Sequence, residues 1–271
     1  MKMLFVGGGN MAAALIGGLI ARGTAAADIL VVDPSEAQRD SLGARFGVTG
    51  LAAIDAEAVA SAGLIVLAVK PQQMREAAAA LAPAIGGQLV VSVAAGIRAA
   101  DLSRWLGGHR RIVRAMPNTP ALIGLGVTGL AAPSELASGD RSLAERVLGA
   151  VGTTVWVDDE SKLDAVTAIS GSGPAYVFLF IEALEAAAER LGLSPTQARA
   201  LAQGTVSGAA QLAAQSTEPP ATLRERVTSK GGTTAAALAE LEAADLRGLI
   251  AHATQAAQRR SVELGDEFGR D

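Results

Sequence analysis

The stretch Gly7-Gly8-Gly9-Asn10-Met11-Ala12 constrains the fold more than any other part of the chain. It fits the pattern G-x-G-x-x-A, follows a short apolar run at residues 2–6 and opens the helix-length segment Asn10–Arg22. In that setting the first glycine makes a tight turn and the second lets backbone approach a pyrophosphate. The small last residue lets helix and strand pack closely, and the helix N-terminus favours the anion. Alone, a glycine-rich turn is a weak signal in a chain with 31 glycines; its place between strand and helix strengthens it. The next apolar run ends in Asp33, at roughly the 20-residue spacing of an acid that holds a nucleotide ribose. Asp33 also reads as an N-cap for the segment beginning at Pro34, and the two roles can coexist. An acid there disfavours the 2′-phosphate of NADPH by like-charge repulsion. No arginine follows it directly, although Arg39 is one helical turn on. The balance leans to NADH, with NADPH open.

The alternation continues. Strand-like runs are expected at residues 2–6, 29–33, 64–69, 89–93, 111–115 and 127–131, with a closing strand at 154–157. Helix-length segments at 10–22, 35–46, 55–61, 72–82 and 99–106 separate them. Strands alternating with helices predict an α/β domain with a mostly parallel, doubly wound sheet covered on both faces. After residues 158–160 the strand signal stops. Helices are expected at 163–169, 174–191, 195–215, 220–227, 233–243 and 246–264. The chain therefore divides into residues 1–158, α/β, and 159–271, all helical. The segment Tyr176–Ala188 is apolar on most faces apart from Glu182 and Glu185, which predicts burial in a domain core or between subunits.

Composition excludes several classes of function. The net charge of −4 gives no electrostatic reason to expect a nucleic-acid partner. With no cysteine, disulfides, thiolate catalysis and cysteine metal sites are excluded. His109 and His252 are far apart without neighbours at ligand spacing, so both read as surface or capping residues and no metal site is expected. Met1 to Ala27 superficially resembles a signal peptide, but Gly7–Asn10 would break its helix and Met3–Val6 reads as a buried strand. The apolar run at 175–181 is cut too soon by Glu182 to span a bilayer. A cytoplasmic protein without membrane association is expected. Arg110, Arg111 and Arg114 read as a solvated strand edge.

Four further stretches stand out: Ala68-Val69-Lys70-Pro71-Gln72, Met116-Pro117-Asn118-Thr119-Pro120, Ser170-Gly171-Ser172-Gly173-Pro174-Ala175-Tyr176 and Ser229-Lys230-Gly231-Gly232-Thr233-Thr234. Each could be mere punctuation by Gly and Pro. The first two fall where parallel strands end, which is where α/β sheets bind ligands. Together and in this order, with Asp164-Ala165-Val166-Thr167 and Val227-Thr228-Ser229, they resemble the Δ1-pyrroline-5-carboxylate reductases over essentially the whole chain.

That resemblance implies a Rossmann domain followed by a helical dimerisation domain, with dimers often assembled into larger rings. It implies NADH- or NADPH-dependent reduction of the cyclic imine 1-pyrroline-5-carboxylate to L-proline. It places Gly7, Gly8, Gly9, Asn10, Met11 and Ala12 along the dinucleotide, and Ala68, Val69, Lys70, Pro71, Val93, Ala94 and Ala95 near its ribose and nicotinamide. Asp55 matches a position where many relatives carry an asparagine at the adenosine ribose; its charge weighs again towards NADH. The substrate residues it implies are Glu160, Ser229, Gly231, Gly232, Thr233 and Thr234. Lys230 departs from the usual Ser-Pro-Gly-Gly pattern, leaving a looser loop or a charge that attracts an anionic substrate.

These residue types suit a five-membered imine carrying a carboxylate. Gly231–Thr234 open a helix whose free N–H groups can hold the carboxylate. Ser229 and Thr233 are the expected carboxylate contacts, and Thr234 hydroxyl the expected catalytic contact to the ring nitrogen. No histidine is placed to protonate the imine, so the substrate binds protonated or takes its proton from water, and positioning supplies most of the acceleration. Two other readings differ in kind. A β-hydroxyacid-dehydrogenase-type reductase needs a lysine where, counting from Gly171, this chain has Val177, and Lys162 is too early. A nucleotide-binding scaffold without turnover would need neither the threonine loop nor Ser170–Tyr176.

Overall fold

The computed structural model describes residues 1–270. Eight strands form one sheet in the order β3-β2-β1-β4-β5-β6-β7-β8. In chain order the elements of the first part are β1 (Met3–Val6), α1 (Asn10–Ala21), β2 (Ile29–Val32), α2 (Glu36–Phe46), β3 (Thr49–Leu51), α3 (Ala56–Ser61), β4 (Leu64–Leu67), α4 (Pro71–Leu81), β5 (Leu89–Ser92), α5 (Ala99–Trp105), β6 (Ile112–Met116), β7 (Gly126–Ala131), α6 (Ser138–Leu148) and β8 (Gly152–Trp156). β1 to β6 are parallel, and β7 joins β6 antiparallel while β8 runs parallel to β7. The reversal has a local cause: the connection 117–125 holds only a short 3-10 turn, and a parallel return needs a crossover of about a dozen residues or more. β3 and α6 add to the elements expected from the sequence.

Strand residues alternate between two cores, one on each face. Phe5, Val31, Val66, Val91 and Val113 meet Leu15, Ile16 and Leu19 of α1, Leu42 of α2 and Val147 and Leu148 of α6. Leu4, Val6, Ile65, Leu67 and Val90 meet Val59 of α3, Met74 and Leu81 of α4 and Leu102 and Trp105 of α5. Near-continuous apolar strands are what a sheet covered on both faces requires.

The rest of the described chain is helical: α7 (Lys162–Val166), a π turn (Thr167–Gly171), α8 (Gly173–Arg190), α9 (Pro195–Gln215), α10 (Pro220–Arg226), α11 (Thr233–Ala243) and α12 (Leu246–Phe268). By packing, one compact unit comprises Met1–Ser172 together with the chain from Ala256 on, and the other is Gly173–Gln255. In the second unit α8 packs on α9, which begins with a capping box between Ser194 and Gln197.

Several expectations are corrected. Of the two places expected to bury α8, a core within the chain is ruled out and burial between subunits is left: none of its residues is buried, and Val177, Phe178, Leu179 and Phe180 are all exposed. Because α7, the π turn and α8 are continuous, the run Lys162–Arg190 is by length and composition apolar enough to cross a membrane, longer than the stretch 175–181 suggested. β6 is an interior strand and only Arg114 lies within it, so that residue is not on a solvated edge, whereas Arg110 and Arg111, just before it, are exposed as expected. Arg114 is buried and pairs with Glu160, and Arg111 forms a two-pronged pair with Asp140. His109 is half-buried, with its Nε2 enclosed and unpartnered, rather than a surface residue. Among the described residues no group of three or more His, Asp or Glu could hold a metal ion.

Candidate active site

The glycine turn sits at the crevice between β1 and β4, where the strand order reverses and doubly wound sheets bind their ligands. Gly7 has φ +98°, and a Cβ there would come within 2.8 Å of the backbone of Ala68 and Val69, so only glycine lets the two strand ends approach. Its N–H donates to Val32 O at 2.8 Å. Gly9 is different: a Cβ there would meet nothing within 4 Å. Gly9 is also the N-cap of α1 and brings no side-chain cap to the helix's first N–H groups. An open space in front of uncapped, outward N–H donors is the arrangement an anionic pyrophosphate fits.

Asp33 closes the turn from β2. Its Oδ2 accepts the Gly8 N–H at 2.8 Å and its Oδ1 accepts the Ser35 N–H at 2.9 Å. The cap of α2 is therefore Ser35, whose Oγ accepts from Gln38 N, while Asp33 holds the turn in front of it. Gln38 Nε2 donates to Gly8 O from the same side. Arg39 Nη1 donates to Asp33 O at 2.7 Å and Pro34 O at 3.0 Å, which brings a guanidinium to the end of β2 as well. Asp55, after β3, caps α3 by accepting the Ala58 N–H at 2.8 Å.

Ala68–Pro71 follow β4, with Lys70 at the N-cap and Pro71 in the first turn of α4. Val93–Ala95 follow β5, and Val93 N–H donates to Leu67 O at 3.1 Å. Residues 7–12, 33, 68–71 and 93–95 thus share the carboxyl end of adjacent parallel strands. Beside them, Asn118 after β6 is buried, donates from Nδ2 to Ser170 O at 3.0 Å and accepts Val127 N–H at 2.9 Å. The carbonyl it takes belongs to the π turn, where Ser172 N–H reaches back to Thr167 O at 2.8 Å. Such turns recur at functional sites. Gly171 there lies against Met116. Sequence reading singled out both stretches but not their union; the small residues on each side were the available signal.

Glu160 lies before α7. Its Oε1 accepts Ala99 N–H and pairs with Arg114 Nη1, each at 2.7 Å. In the second unit the stretch 229–234 is a turn leading into α11. Gly231 has φ +74°, Gly232 N–H donates to Ser229 O at 3.1 Å, and Ser229 Oγ occupies the space a side chain on residue 232 would need. Gly232 is the N-cap of α11 and offers no side-chain cap, so the N–H groups beside Thr233 and Thr234 are open. Ser229 and Thr233 are exposed and Thr234 is half-buried. Hydroxyl groups beside open N–H groups at a helix start suit hydrogen bonding and anion binding.

Known proteins align with this chain from end to end. Residues 160–264 match a family model described as pyrroline-5-carboxylate reductase dimerisation, and residues 2–96 match one described as NADP oxidoreductase, coenzyme F420-dependent. A pyrroline-5-carboxylate reductase of Pseudomonas aeruginosa is 48% identical over 99% of this chain and 98% of its own. A solved one from Coxiella burnetii is 41% identical, with TM-score 0.92 over 97% of this chain and 98% of the other. A Plasmodium falciparum pyrroline carboxylate reductase, solved with NADP bound, is 28% identical, with TM-score 0.84 over 98% of both chains.

Proposed function

The chain belongs to the pyrroline-5-carboxylate reductase family, and from that premise we propose which of its residues carry the reaction. It is a nicotinamide-dependent oxidoreductase that reduces the C=N bond of 1-pyrroline-5-carboxylate to give L-proline. The observation that carries the site assignment is the uncapped start of α1 at Gly9, facing open space at the β1/β4 crevice.

Residues 1–158 are assigned to dinucleotide binding and 159–271 to substrate binding and pairing of subunits, a division supported by the dimerisation model's match over 160–264. Gly7–Ala12 receive the pyrophosphate. Asp33 and Asp55 lie on the adenosine side, and Ala68–Pro71 with Val93–Ala95 on the nicotinamide side. A bound reduced nicotinamide would supply the hydride for the imine carbon, and the ring nitrogen would carry a proton brought by the substrate or taken from water. Ser229, Gly231, Gly232 and Thr233 hold the carboxylate at the start of α11, and Thr234 hydroxyl orients the ring nitrogen. Glu160 is assigned to the substrate separately, on the family resemblance, through its second carboxylate oxygen.

Two acids at the ribose end support NADH as the preferred cofactor, with the Arg39 guanidinium as the counterweight that keeps NADPH a substrate. The exposed apolar residues of α8 support a homodimer formed through the helical region, from which larger rings can be built. The same reading assigns the enzyme to the cytoplasm and gives it no membrane or nucleic-acid partner, the apolar run Lys162–Arg190 falling within the dimerisation match. The test is oxidation of NADH and of NADPH, in parallel, with pyrroline-5-carboxylate as acceptor. Turnover with a higher kcat/KM for NADH is expected; nucleotide binding without imine turnover overturns the assignment in favour of a scaffold.

A further inference from the structure

The connection from β5 to α5 carries Val93–Ala95 and then reaches Arg98, the N-cap of α5. Val93 N–H is held by Leu67 O at 3.1 Å and Ala94 and Ile97 are buried, and the outer side of the connection is held by another part of the chain. At Gly96 the backbone has φ +76°, and a Cβ there would stand 3.3 Å from Phe268 Cδ2 and 3.5 Å from Leu264 Cβ and Gly265 N, so the last turns of α12 lie directly on this backbone. Arg98 extends along the same helix: a Cβ on Gly265 would come within 2.9 Å of its Nε and Nη2. The guanidinium ends on Asp164, with Nη1 to Oδ2 at 3.2 Å, and the other carboxylate oxygen accepts Ser261 Oγ at 2.7 Å. Asp164 and Ser261 are each only 4% exposed. Arg104 Nη2 adds a bond to Gly269 O at 2.8 Å. Three segments far apart in sequence thus converge behind one connection.

A dinucleotide laid across the β1/β4 crevice, with one half over β1–β3, has its other half over β4 and β5. We propose that Arg98, Asp164 and Ser261 are positioning residues: by tying the last turns of α12 to the β5–α5 connection, they hold residues 93–95 where hydride transfer needs them. The inference rests on the site reading above. A buried, hydrogen-bonded carboxylate joining two other segments has discrete geometry, and displacement by an ångström at a reacting centre costs up to about a hundredfold in rate.

The test compares Ser261→Ala and Arg98→Ala with the wild type. Ser261→Ala removes a single oxygen and keeps the test available where Arg98→Ala fails to fold. In the nucleotide-free protein, amide exchange in residues 93–98 is expected to accelerate at least tenfold while exchange in α1 stays unchanged. Affinity for ADP-ribose, which lacks the nicotinamide, should stay within twofold. kcat should fall by about tenfold or more, and the primary isotope effect with nicotinamide deuterated at C4 should rise as hydride transfer becomes limiting. Wild-type kcat and isotope effect in Ser261→Ala overturn the proposal, as does an ADP-ribose affinity that falls in step with kcat. An inactive wild type overturns the reading of the site itself, whereas an active wild type with indifferent variants overturns only this inference.

Discussion

The Gly8 N–H donates to Asp33 Oδ2 across 2.8 Å, joining the glycine turn after β1 to the end of β2. The other oxygen accepts Ser35 N–H, so both are already engaged by backbone. Asp33 therefore shapes the turn in addition to placing a charge beside the ribose. Asp33→Asn keeps one acceptor and removes the charge. The ratio of kcat/KM for NADPH over NADH is expected to rise by about tenfold, the scale of one like-charge contact near a protein surface. Parallel steady-state assays with both cofactors check it; an unchanged ratio would assign Asp33 to the turn alone.

Gly7 and Gly9 separate folding from binding. Gly7→Ala forces an L side chain into φ +98° and 2.8 Å from the Ala68 backbone, costing roughly 1–2 kcal/mol of strain and about 1–3 kcal/mol of overpacking. Melting temperature and nucleotide binding should both fall. Gly9→Ala meets nothing within 4 Å, so stability should stay within about 0.5 kcal/mol. The added methyl enters the space assigned to the pyrophosphate, and nucleotide affinity should drop at least tenfold by titration calorimetry.

Much of this was legible in the sequence, because apolar runs alternating with helix-length segments leave few arrangements other than a doubly wound sheet. β3 was not: Thr49-Gly50-Leu51 is short, mostly exposed and lacks an apolar run. α6 hid behind Asp140, Arg141, Glu145 and Arg146, its apolar stripe reduced to Leu143, Ala144, Val147 and Leu148. The reversed sense of β7 was in principle readable from the short connection 117–125. The buried charges were not. Arg114 reads as a solvated edge, and nothing local pairs it with Glu160 or pairs Asp164 with Arg98 until segments distant in sequence meet, an encounter that is a property of tertiary packing. The nucleotide motif survives sequence reading because its residues are local; the buttress from Ser261 to Arg98 does not, because its partners are not.

On α8, Phe178 and Leu179 are 59% and 66% exposed in the chain. Burying the exposed part of a phenylalanine from each of two copies stabilises a pair by roughly 2–3.5 kcal/mol, and a glutamate in its place would add the cost of enclosing two charges. Phe178→Glu should therefore raise the dimer dissociation constant at least a hundredfold, shifting sedimentation equilibrium to monomer at micromolar concentration. A dimer of wild-type strength would move the pairing surface elsewhere.

Acid stability has a local contribution at the start of α7. Hydrogen bonding from Lys162 holds the Asp158 carboxyl below its ordinary value of 3.8, and hydrogen bonding from Ser161 does the same for Asp159. Both folded values lie below the unfolded ones, so their stabilisation is present above the ordinary carboxylate range and disappears as pH falls below about 4. Both groups are fully exposed, which keeps the effect small. Lys162→Met should flatten the dependence of urea midpoint on pH in that window and leave it unchanged near neutrality. An unaltered acid limb would show that the pair adds nothing to stability.

Thr234 and Glu160 are both assigned to the substrate, yet their surroundings predict opposite behaviour. Thr234 starts α11 half-buried, and the helix needs nothing from its hydroxyl as a cap. Thr234→Ala should leave the melting temperature and nucleotide affinity unchanged and lower kcat on the imine by up to about tenfold, the scale of one hydrogen bond. Glu160 Oε1 instead serves Ala99 N–H and the buried Arg114. Glu160→Gln keeps an amide oxygen for Ala99 N–H and Arg114 but removes the charge that offsets a buried guanidinium, costing less than the roughly 3–5 kcal/mol of losing an enclosed partner outright, and less again because Glu160 is 35% exposed. Stability should fall first, with the KM for the imine rising only through the free oxygen. A higher imine KM at wild-type melting temperature would make Glu160 a substrate contact above all; a lower melting temperature with unchanged KM would make it the clamp between α5 and β6.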